Sequence, residues 1–297
     1  MSTRGLAAWG FGFRFESDDQ LLADVVARCY RDLPRCTDAP HVLRAARAPH
    51  GVGFRVSVES PDGSVEECGD GRARDAVLEL LHWEINRRAL RSVADRTVLH
   101  AVVIGGPAGA VALCGPSHSG KSTLAAAAAL RGWRHLSDDM GLIDTGLIDA
   151  GLADTGLADT RRVTVAPYAR PIMVRLGGRG LLGAAVDPPA EHRQFFGDEW
   201  FLPASDLGAV VGPDPVPLVG VGFLEWQPAA SLAPMSRAEA LHDLTLHCAT
   251  VAARGAAGFS ELARVAASVP SFRVGLGTPS DALDLLEPLI RPGAASR

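Results

Sequence analysis

Residues Gly115 to Ser122 carry the most recognisable chemistry in this chain, because they read Gly-Pro-Ser-His-Ser-Gly-Lys-Ser. This octapeptide fits the phosphate-binding pattern G-x-x-x-x-G-K-[S/T], in which a glycine-rich turn directs backbone N–H groups at a phosphate. Its lysine reaches the terminal phosphates and its last hydroxyl ligates Mg²⁺. Lys121 is the one lysine among the 29 lysine and arginine residues. Every other position of this kind is an arginine, so the use of lysine only here indicates a phosphate site, where a slim ammonium group fits better than a planar guanidinium.

A pair of carboxylates, Asp138 and Asp139, begins 17 residues after Lys121. The sequence between Lys121 and this pair predicts a helix over Thr123–Leu130, which ends at Gly132 and leads into a short strand that ends at the pair. A strand, loop, helix and strand in succession bring the carboxyl ends of both strands to one edge of a sheet. The two carboxylates are therefore predicted to lie beside the bound phosphates.

A hairpin is predicted to bring a histidine to the same place. The apolar segment Val98–Ile104 is followed by a glycine-rich turn and by a second strand, Val111–Cys114, which runs directly into the loop. If the turn centres on its proline, antiparallel pairing places His100 beside Cys114 or Gly115. The histidine and the acidic pair would then approach the phosphates from two sides.

The amino-terminal 95 residues predict a small α+β domain without a catalytic constellation. Alternating apolar residues and turn signals predict strands at Phe11–Phe15, His41–Ala46, Gly53–Glu59 and Ser64–Glu67. One helix is predicted to follow Ser17 as its N-cap, and a longer one to run from about Arg72 to Leu90. His82, Trp83 and Glu84 on the longer helix are interpreted as packing and solvated residues.

Residues 141–160 are four tandem pentapeptides, GLIDT, GLIDA, GLADT and GLADT. The first is predicted to continue a core strand, and the others to form a surface loop. Further on, the glycine and proline content of residues 177–205 predicts loops, and Val219–Trp226 predicts an apolar strand. Ser236 and Glu239 predict a capping box for a helix that runs to about Arg254.

Length and composition describe a globular chain with room for two domains. The chain has 297 residues, 47% of them hydrophobic and 21% charged. A formal net charge of -5 gives no electrostatic case for nucleic acid or an anionic membrane as a partner. The five cysteines form no C-x-x-C pair and predict reduced thiols. The amino terminus lacks a long apolar segment, and we expect a cytoplasmic protein.

Together, these motifs resemble the catalytic domain of HPr kinase/phosphorylase and its HPr-kinase-like relatives, including kinases of ribosomally made peptide clusters such as lasso peptides. The resemblance rests on the intact loop, on His100 21 residues before Lys121, and on Arg131–Asp139, which read RGWRHLSDD. It covers roughly residues 97–290 and is strongest up to Asp144. It implies an α/β fold in which residues 96–297 form a P-loop kinase core, related to ATP-dependent phosphoenolpyruvate carboxykinases, preceded by the α+β domain of residues 1–95.

The resemblance also implies roles for individual residues. ATP would bind to Gly115, Pro116, Ser117, His118, Ser119, Gly120, Lys121, Ser122 and Thr123. Lys121 would contact the β- and γ-phosphates, and Ser122 and Asp138 would hold Mg²⁺. One carboxylate of the pair would take the acceptor proton, with Asp139 favoured, and His100 would contact the transferring phosphoryl group.

Two further features of the family are harder to place in this sequence. A transition-state arginine is expected among Arg161, Arg162, Arg170 and Arg175. The family's later Mg²⁺-binding glutamate, in a motif similar to L-E-I-R-G, has no clear counterpart, because Arg170–Arg175 occupies about that place without an acid. The first 95 residues also differ from the sensor domain of HPr kinase itself. These departures leave open whether HPr is the acceptor and whether a reverse phosphorylase reaction occurs.

The predicted activity is transfer of the γ-phosphoryl group of MgATP to a serine of a peptide or small protein, such as the precursor peptide of a ribosomal natural product. Two alternatives stay open. One is a kinase of free serine or another metabolite, and the other is a nucleotide-binding regulatory protein without chemistry. The amino-terminal domain is a candidate for substrate recognition. The sequence leaves the oligomeric state undecided, and a homo-oligomer is compatible with it.

Overall fold

A computed structural model of the chain describes residues 4–49, 53–72, 74–146 and 163–291. Its strands are β1 (Leu6–Ala8), β2 (Phe11–Ser17), β3 (His41–Arg47), β4 (Phe54–Glu59), β5 (Val65–Arg72), β6 (Thr97–Gly106), β7 (Gly109–Cys114), β8 (Arg134–Ser137), β9 (Met140–Asp144), β10 (Thr164–Ala166), β11 (Ile172–Arg175), β12 (Glu199–Leu202), β13 (Val216–Glu225), β14 (Ser231–Pro234) and β15 (Ser271–Gly275). Its α-helices are α1 (Gln20–Cys29), α2 (Val77–Ser92), α3 (Lys121–Leu130), α4 (Leu176–Leu182), α5 (Arg237–Leu246), α6 (Val251–Ser268) and α7 (Pro279–Ile290). The fold is mixed α/β.

Contacts within the chain divide it into two compact units. The first combines Met1–Val93 with Ala169–Leu207, and the second combines Ala94–Tyr168 with Gly208–Arg297. The sequence instead predicts that residues 96–297 form one domain. The difference arises because Ala169–Leu207 packs on residues that are distant in sequence. The carbonyl of Phe201, for example, accepts a hydrogen bond from the thiol of Cys29 at 3.2 Å.

The first unit is built on a five-stranded sheet of order β1-β2-β3-β4-β5. Strands β2 and β3 are parallel and are joined through α1, whereas the other neighbours are antiparallel. The alternating sequence of β2 gives alternating burial, with Phe11, Phe13 and Phe15 in the core. Strands β11 and β12 form a separate antiparallel ladder in this unit. The predicted strands at the start of the chain are thus present.

The first helix starts later than the sequence predicts, so the prediction of Ser17 as its N-cap was wrong. Asp19 is the N-cap, and its carboxylate accepts a hydrogen bond from the Leu22 N–H at 3.1 Å. Ser17 remains in β2, where its hydroxyl donates to the Ala45 carbonyl at 2.7 Å. Pairing with the neighbouring strand therefore extends β2 as far as the serine.

The buried face of α2 includes two of the three residues that we interpreted as packing or solvated. His82 lies in the core, 3.1 Å from the Tyr30 hydroxyl through Nδ1, and its ring centroid is 4.8 Å from that of Phe201. Glu84 is also buried, and it is not solvated but ion-paired with Arg87 at 2.7 Å. Neither side chain takes part in the candidate site described below.

The stability of this unit should depend on pH through His82. Burial, with the nearby charge of Arg170 as a second cause, holds the pKa of His82 well below its usual value. Below about pH 6.5 the unfolded chain protonates this residue while the folded ring stays neutral. Each further pH unit should therefore cost up to about 1.4 kcal/mol of unfolding free energy, until the lowered pKa is reached.

Urea unfolding of the wild type and of His82→Gln at pH 7.5 and 5.5 measures this effect, because other titrating groups cancel in the difference. We expect the advantage of the wild type to be smaller at pH 5.5. An advantage that does not change with pH would show that His82 does not titrate on unfolding.

The second unit holds a sheet of order β10-β9-β6-β7-β13-β15-β14, in which β8 also pairs with β6 and β10 with β13. Strands β7, β13 and β15 are mutually parallel, and β6 is antiparallel to β7, β8 and β9. One face of β6, with Leu99 and Ala101, packs in a core with Leu244 of α5 and Leu262 of α6. His100 lies between Leu99 and Ala101 in the strand, so its side chain points to the opposite face of the sheet.

The repeats fall only partly within the described structure. The first pentapeptide belongs to β9, as predicted, and strand β10 begins at Thr164. The other repeats from residue 147 onward, together with Arg161 and Arg162, lie outside the described residues.

Two predictions for the later part of the chain were wrong in detail. The segment predicted as loops contains α4, strand β12 and 3₁₀ turns at Gly183–Val186, Ala190–Phe195 and Ala204–Leu207. The helix that begins at the capping box of Ser236 and Glu239 ends at Leu246 instead of continuing to Arg254. It ends there because the chain forms backbone hydrogen bonds with β6, from the Ala249 N–H to the Val98 carbonyl at 2.8 Å and from the His100 N–H to the His247 carbonyl at 2.7 Å.

The five cysteines are free thiols. Burial raises the pKa of Cys29 and of Cys114 to about 12, so both stay protonated and poorly nucleophilic near neutral pH. Within the described ranges, no helix combines the length and the apolar character needed to cross a membrane.

Candidate functional site

The Gly115–Ser122 loop joins β7 to α3, and the helix begins at Lys121. Gly120 precedes the helix with φ +93°, and His118 also has a left-handed backbone with φ +66°. These two residues turn the chain so that α3 starts directly after the loop. The first N–H groups of a helix have no acceptor within the helix and carry a partial positive charge. The start of α3 therefore provides donors for an anion such as phosphate.

The side chain of Lys121 is folded onto the loop that precedes it. Its Nζ donates to the carbonyls of Gly115 at 2.6 Å and Pro116 at 2.9 Å, and the residue is buried. Pro116, Ser117 and His118 are exposed at the tip of the loop. The ammonium group thus lies under the open part of the loop, where a phosphate group would meet it.

Strand β6 brings His100 between the loop and the acidic pair. On one side of β6, Ala101 is level with Cys114, so His100 is level with Gly115, as the hairpin predicts. On the other side, the Ala101 N–H donates to the Asp139 carbonyl at 2.9 Å. Strand β6 therefore fixes the spacing between the loop, His100 and the acidic pair.

The acidic pair occupies an interruption between β8 and β9. Both strands pair with β6, through Val103 with Ser137 and through His100 with Met140. The Ser137 hydroxyl accepts a hydrogen bond from the Met140 N–H at 3.1 Å and supports the bend between the strands. β8 is parallel to β7, as the crossover predicts, but β6 lies between them.

The two carboxylates have different partners and different exposure. Asp138 is 1% exposed, and its Oδ2 accepts a hydrogen bond from the Ser122 hydroxyl at 3.1 Å. Asp139 is half-buried, with a side chain 30% exposed, and its Oδ1 is 3.0 Å from Nδ1 of His100. The structure thus pairs Ser122 with Asp138 and His100 with Asp139.

The donor set next to the loop suits a hard divalent cation. In the described parts of the chain, no group of three or more histidine, cysteine, aspartate or glutamate side chains could hold a metal on its own. Mg²⁺ needs no such cage, because it keeps several waters and binds through one or two protein oxygens together with substrate phosphates. Ser122 and Asp138 supply one hydroxyl and one carboxylate at the start of α3, and these fit that requirement.

Two residues near the loop were missed by the sequence analysis. The His247 carbonyl accepts a hydrogen bond from His100, and burial, followed by the charges of His100 and Lys121, lowers the pKa of His247. Trp226, directly after β13, donates from Nε1 to the His118 carbonyl at 3.4 Å and is 70% exposed. A lone histidine after a helix and a lone tryptophan after a strand give no local signal of a site.

Of the expected transition-state arginines, Arg161 and Arg162 lie outside the described residues. Arg170 and Arg175 belong to the first unit, and Arg175 is ion-paired there with Glu199 at 2.6 Å. Their assignment to the site therefore stays a prediction.

Comparisons with known proteins leave the family of this chain open. No protein-family model and no curated protein matches it. Among solved structures, it is similar to the Hpr(Ser) kinase/phosphatase from Coxiella burnetii, with 13% sequence identity and a TM-score of 0.32. The similarity covers 65% of this chain and 88% of that chain. A similarity at this TM-score supports no conclusion about this chain. The roles of the site residues are therefore inferred from the geometry of the site alone.

Replacing Gly120 by alanine should strain the loop. A side chain at φ +93° costs about 1–2 kcal/mol, and the new Cβ would lie 3.2 Å from Cδ1 of Leu276. We expect Gly120→Ala to lower the free energy of unfolding by that amount and to weaken the binding of ATP. Urea unfolding and calorimetry measure the two effects.

Gly177→Ala is the matched control, since nothing lies within 4 Å of its added Cβ and Gly177 lies in helix α4. It should leave ATP binding unchanged and stability equal or slightly higher. Equal behaviour of the two variants would contradict the requirement for glycine in the loop.

Proposed function

We propose that this protein is a phosphotransferase that moves the γ-phosphoryl group of ATP to a hydroxyl group, in the first instance a serine of a peptide or small protein. The observation that carries the proposal is the pairing of Ser122 with Asp138 and of His100 with Asp139 beside the same loop. Nucleotide binding alone would require neither a half-buried carboxylate nor a histidine bonded to it. Transfer to a hydroxyl requires a proton acceptor in this position.

The loop and the helix that follows it would bind the triphosphate. Backbone N–H groups at the start of α3 would donate to phosphate oxygens, and Lys121 would exchange its two carbonyl acceptors for them. This exchange replaces neutral acceptors by charged ones, which form stronger hydrogen bonds with an ammonium group.

Ser122 and Asp138 would hold Mg²⁺. When bound, the ion would neutralise charge on the phosphate oxygens. The burial of Asp138 suits this role, because a carboxylate without solvent around it is stabilised by an adjacent cation.

Asp139 would act as the base, since its side chain is the more exposed of the two and an acceptor hydroxyl can reach it. As the hydroxyl oxygen forms its bond to the γ-phosphorus, its proton passes to the Asp139 carboxylate, and the bond to the leaving ADP oxygen breaks. His100 would orient this carboxylate through the contact at 3.0 Å. Its other ring nitrogen would donate to the transferring phosphoryl group when the terminal phosphate lies on the β6 side of the loop.

The test is incubation with MgATP and separate acceptors, namely serine-containing peptides, a small protein and free serine, followed by mass spectrometry. We expect an added phosphate on a serine hydroxyl of a peptide or protein. His100→Asn and Asp139→Asn serve as matched variants in the same assay.

Other outcomes select the alternatives. Transfer to free serine and to no peptide would identify a small-molecule kinase. ATP binding without transfer or hydrolysis would contradict the proposal and favour a nucleotide-binding regulatory protein.

A further inference from the structure

We infer that Trp226 is the platform on which the base of the bound nucleotide stacks. The inference rests on the proposed function, because it takes the Gly115–Ser122 loop as the triphosphate site. It assigns a role to an exposed aromatic side chain that the phosphoryl-transfer chemistry leaves unused.

Trp226 lies at the edge of the loop. Strands β7 and β13 are parallel, with Cys114 level with Phe223, so the chain that leaves β13 runs beside the chain that leaves β7. The indole Nε1 donates to the carbonyl of His118 at the tip of the loop. The hydrogen bond fixes one edge of the ring, and the residue remains 70% exposed.

The sheet order gives the direction in which a nucleotide would lie. His100 on β6 and the acidic pair between β8 and β9 lie on one side of β7, whereas Trp226 follows β13 on the other side. A triphosphate on the loop whose terminal phosphate faces His100 and Asp139 would direct its nucleoside away from β6. That direction leads to the side of β13, where Trp226 lies.

The chemistry of the indole fits a nucleobase. Every base has a π-face, so stacking on an aromatic side chain binds a base without reading its identity. A rigid ring held by one hydrogen bond loses little conformational entropy when the base arrives. The class of ligand is therefore a nucleoside triphosphate, with weak discrimination between adenine and guanine at this residue.

Calorimetry with MgATP and with magnesium tripolyphosphate, which lacks the base, tests the inference. The wild type should bind MgATP more tightly than tripolyphosphate. Trp226→Ala should weaken MgATP binding about tenfold, which corresponds to about 1.4 kcal/mol, and leave tripolyphosphate binding unchanged. Trp226→Phe should recover most of the lost affinity.

Trp83→Ala is the control for removal of an exposed tryptophan, because Trp83 is 57% exposed on α2 and lies in the first unit. It should bind both ligands like the wild type. Thermal unfolding of each variant shows whether it is folded at the temperature of the titration.

Two results would overturn the inference. MgATP binding by folded Trp226→Ala at wild-type affinity would mean that the base does not contact the ring. An equal loss for MgATP and tripolyphosphate would mean that Trp226 acts by positioning His118 and the loop. Failure of the proposed function would give a different result. Trp226→Ala would still weaken the binding of MgATP and not that of tripolyphosphate, but no acceptor would be phosphorylated.

Discussion

Lys121→Ala should lower kcat/KM for phosphoryl transfer by about 10²- to 10³-fold or more, because it removes a cation that would stabilise charge on the transferring group. Lys121 is the one lysine of the chain, and its Nζ already lies within the loop. Its loss should also weaken ATP binding, since the ammonium group would contact phosphate in the ground state as well. Steady-state kinetics and calorimetry separate the two contributions.

Lys121→Arg is the informative companion, because it keeps the charge. A planar guanidinium cannot reproduce the two short contacts of a compact ammonium group with the carbonyls of Gly115 and Pro116. We expect it to recover only part of the lost activity. The assignment of Lys121 to the phosphate site is wrong if the alanine variant is folded, binds ATP with wild-type affinity and transfers the phosphoryl group at the wild-type rate.

Asp139→Asn should reduce kcat by about 10²- to 10⁴-fold, the usual contribution of a general base, and leave the dissociation constant of MgATP nearly unchanged. The amide can still contact His100 but cannot accept the proton of the acceptor hydroxyl. Single-turnover kinetics, together with nucleotide titration, would show the loss in the chemical step.

Asp138→Asn is the matched control at the neighbouring position. Asp138 contacts Ser122, so its variant should raise the concentration of Mg²⁺ needed for nucleotide binding, an effect not expected of Asp139→Asn. If Asp139→Asn retained full turnover while Asp138→Asn lost it with unchanged dependence on Mg²⁺, the two roles would have to be exchanged.

Much of the candidate site could be predicted from sequence because its parts are connected by short segments. A hairpin links His100 to the loop, and a single helix links the loop to the acidic pair. In both cases local turn chemistry and strand pairing decide the geometry, and the structure brings Ser122 to Asp138 and His100 to Asp139. The interruption between β8 and β9 was not predicted, because nothing local shows that both strands would pair with β6.

The remaining features depend on contacts between distant parts of the chain. His247 reaches His100 only because α5 ends at Leu246 and the chain after it pairs with β6. The helix propensity of the sequence favours a helix that continues to Arg254, so this end of α5 could not be predicted. Trp226 meets His118 across a parallel pair of strands that are separated by more than a hundred residues. Similarly, Ala169–Leu207 joins the first unit through packing that no periodicity encodes.

The interruption between β8 and β9 also bears on which parts of the site can move. Hydrogen bonds to β6 hold the chain on both sides of Asp138 and Asp139. The backbone of Asp138 and Asp139 cannot move outward without opening one of these ladders, so it should stay fixed while a nucleotide enters and leaves. The exposed tip of the loop and the Lys121 side chain are then the parts that adjust, and a triphosphate can occupy the loop only after the ammonium group leaves its two carbonyls.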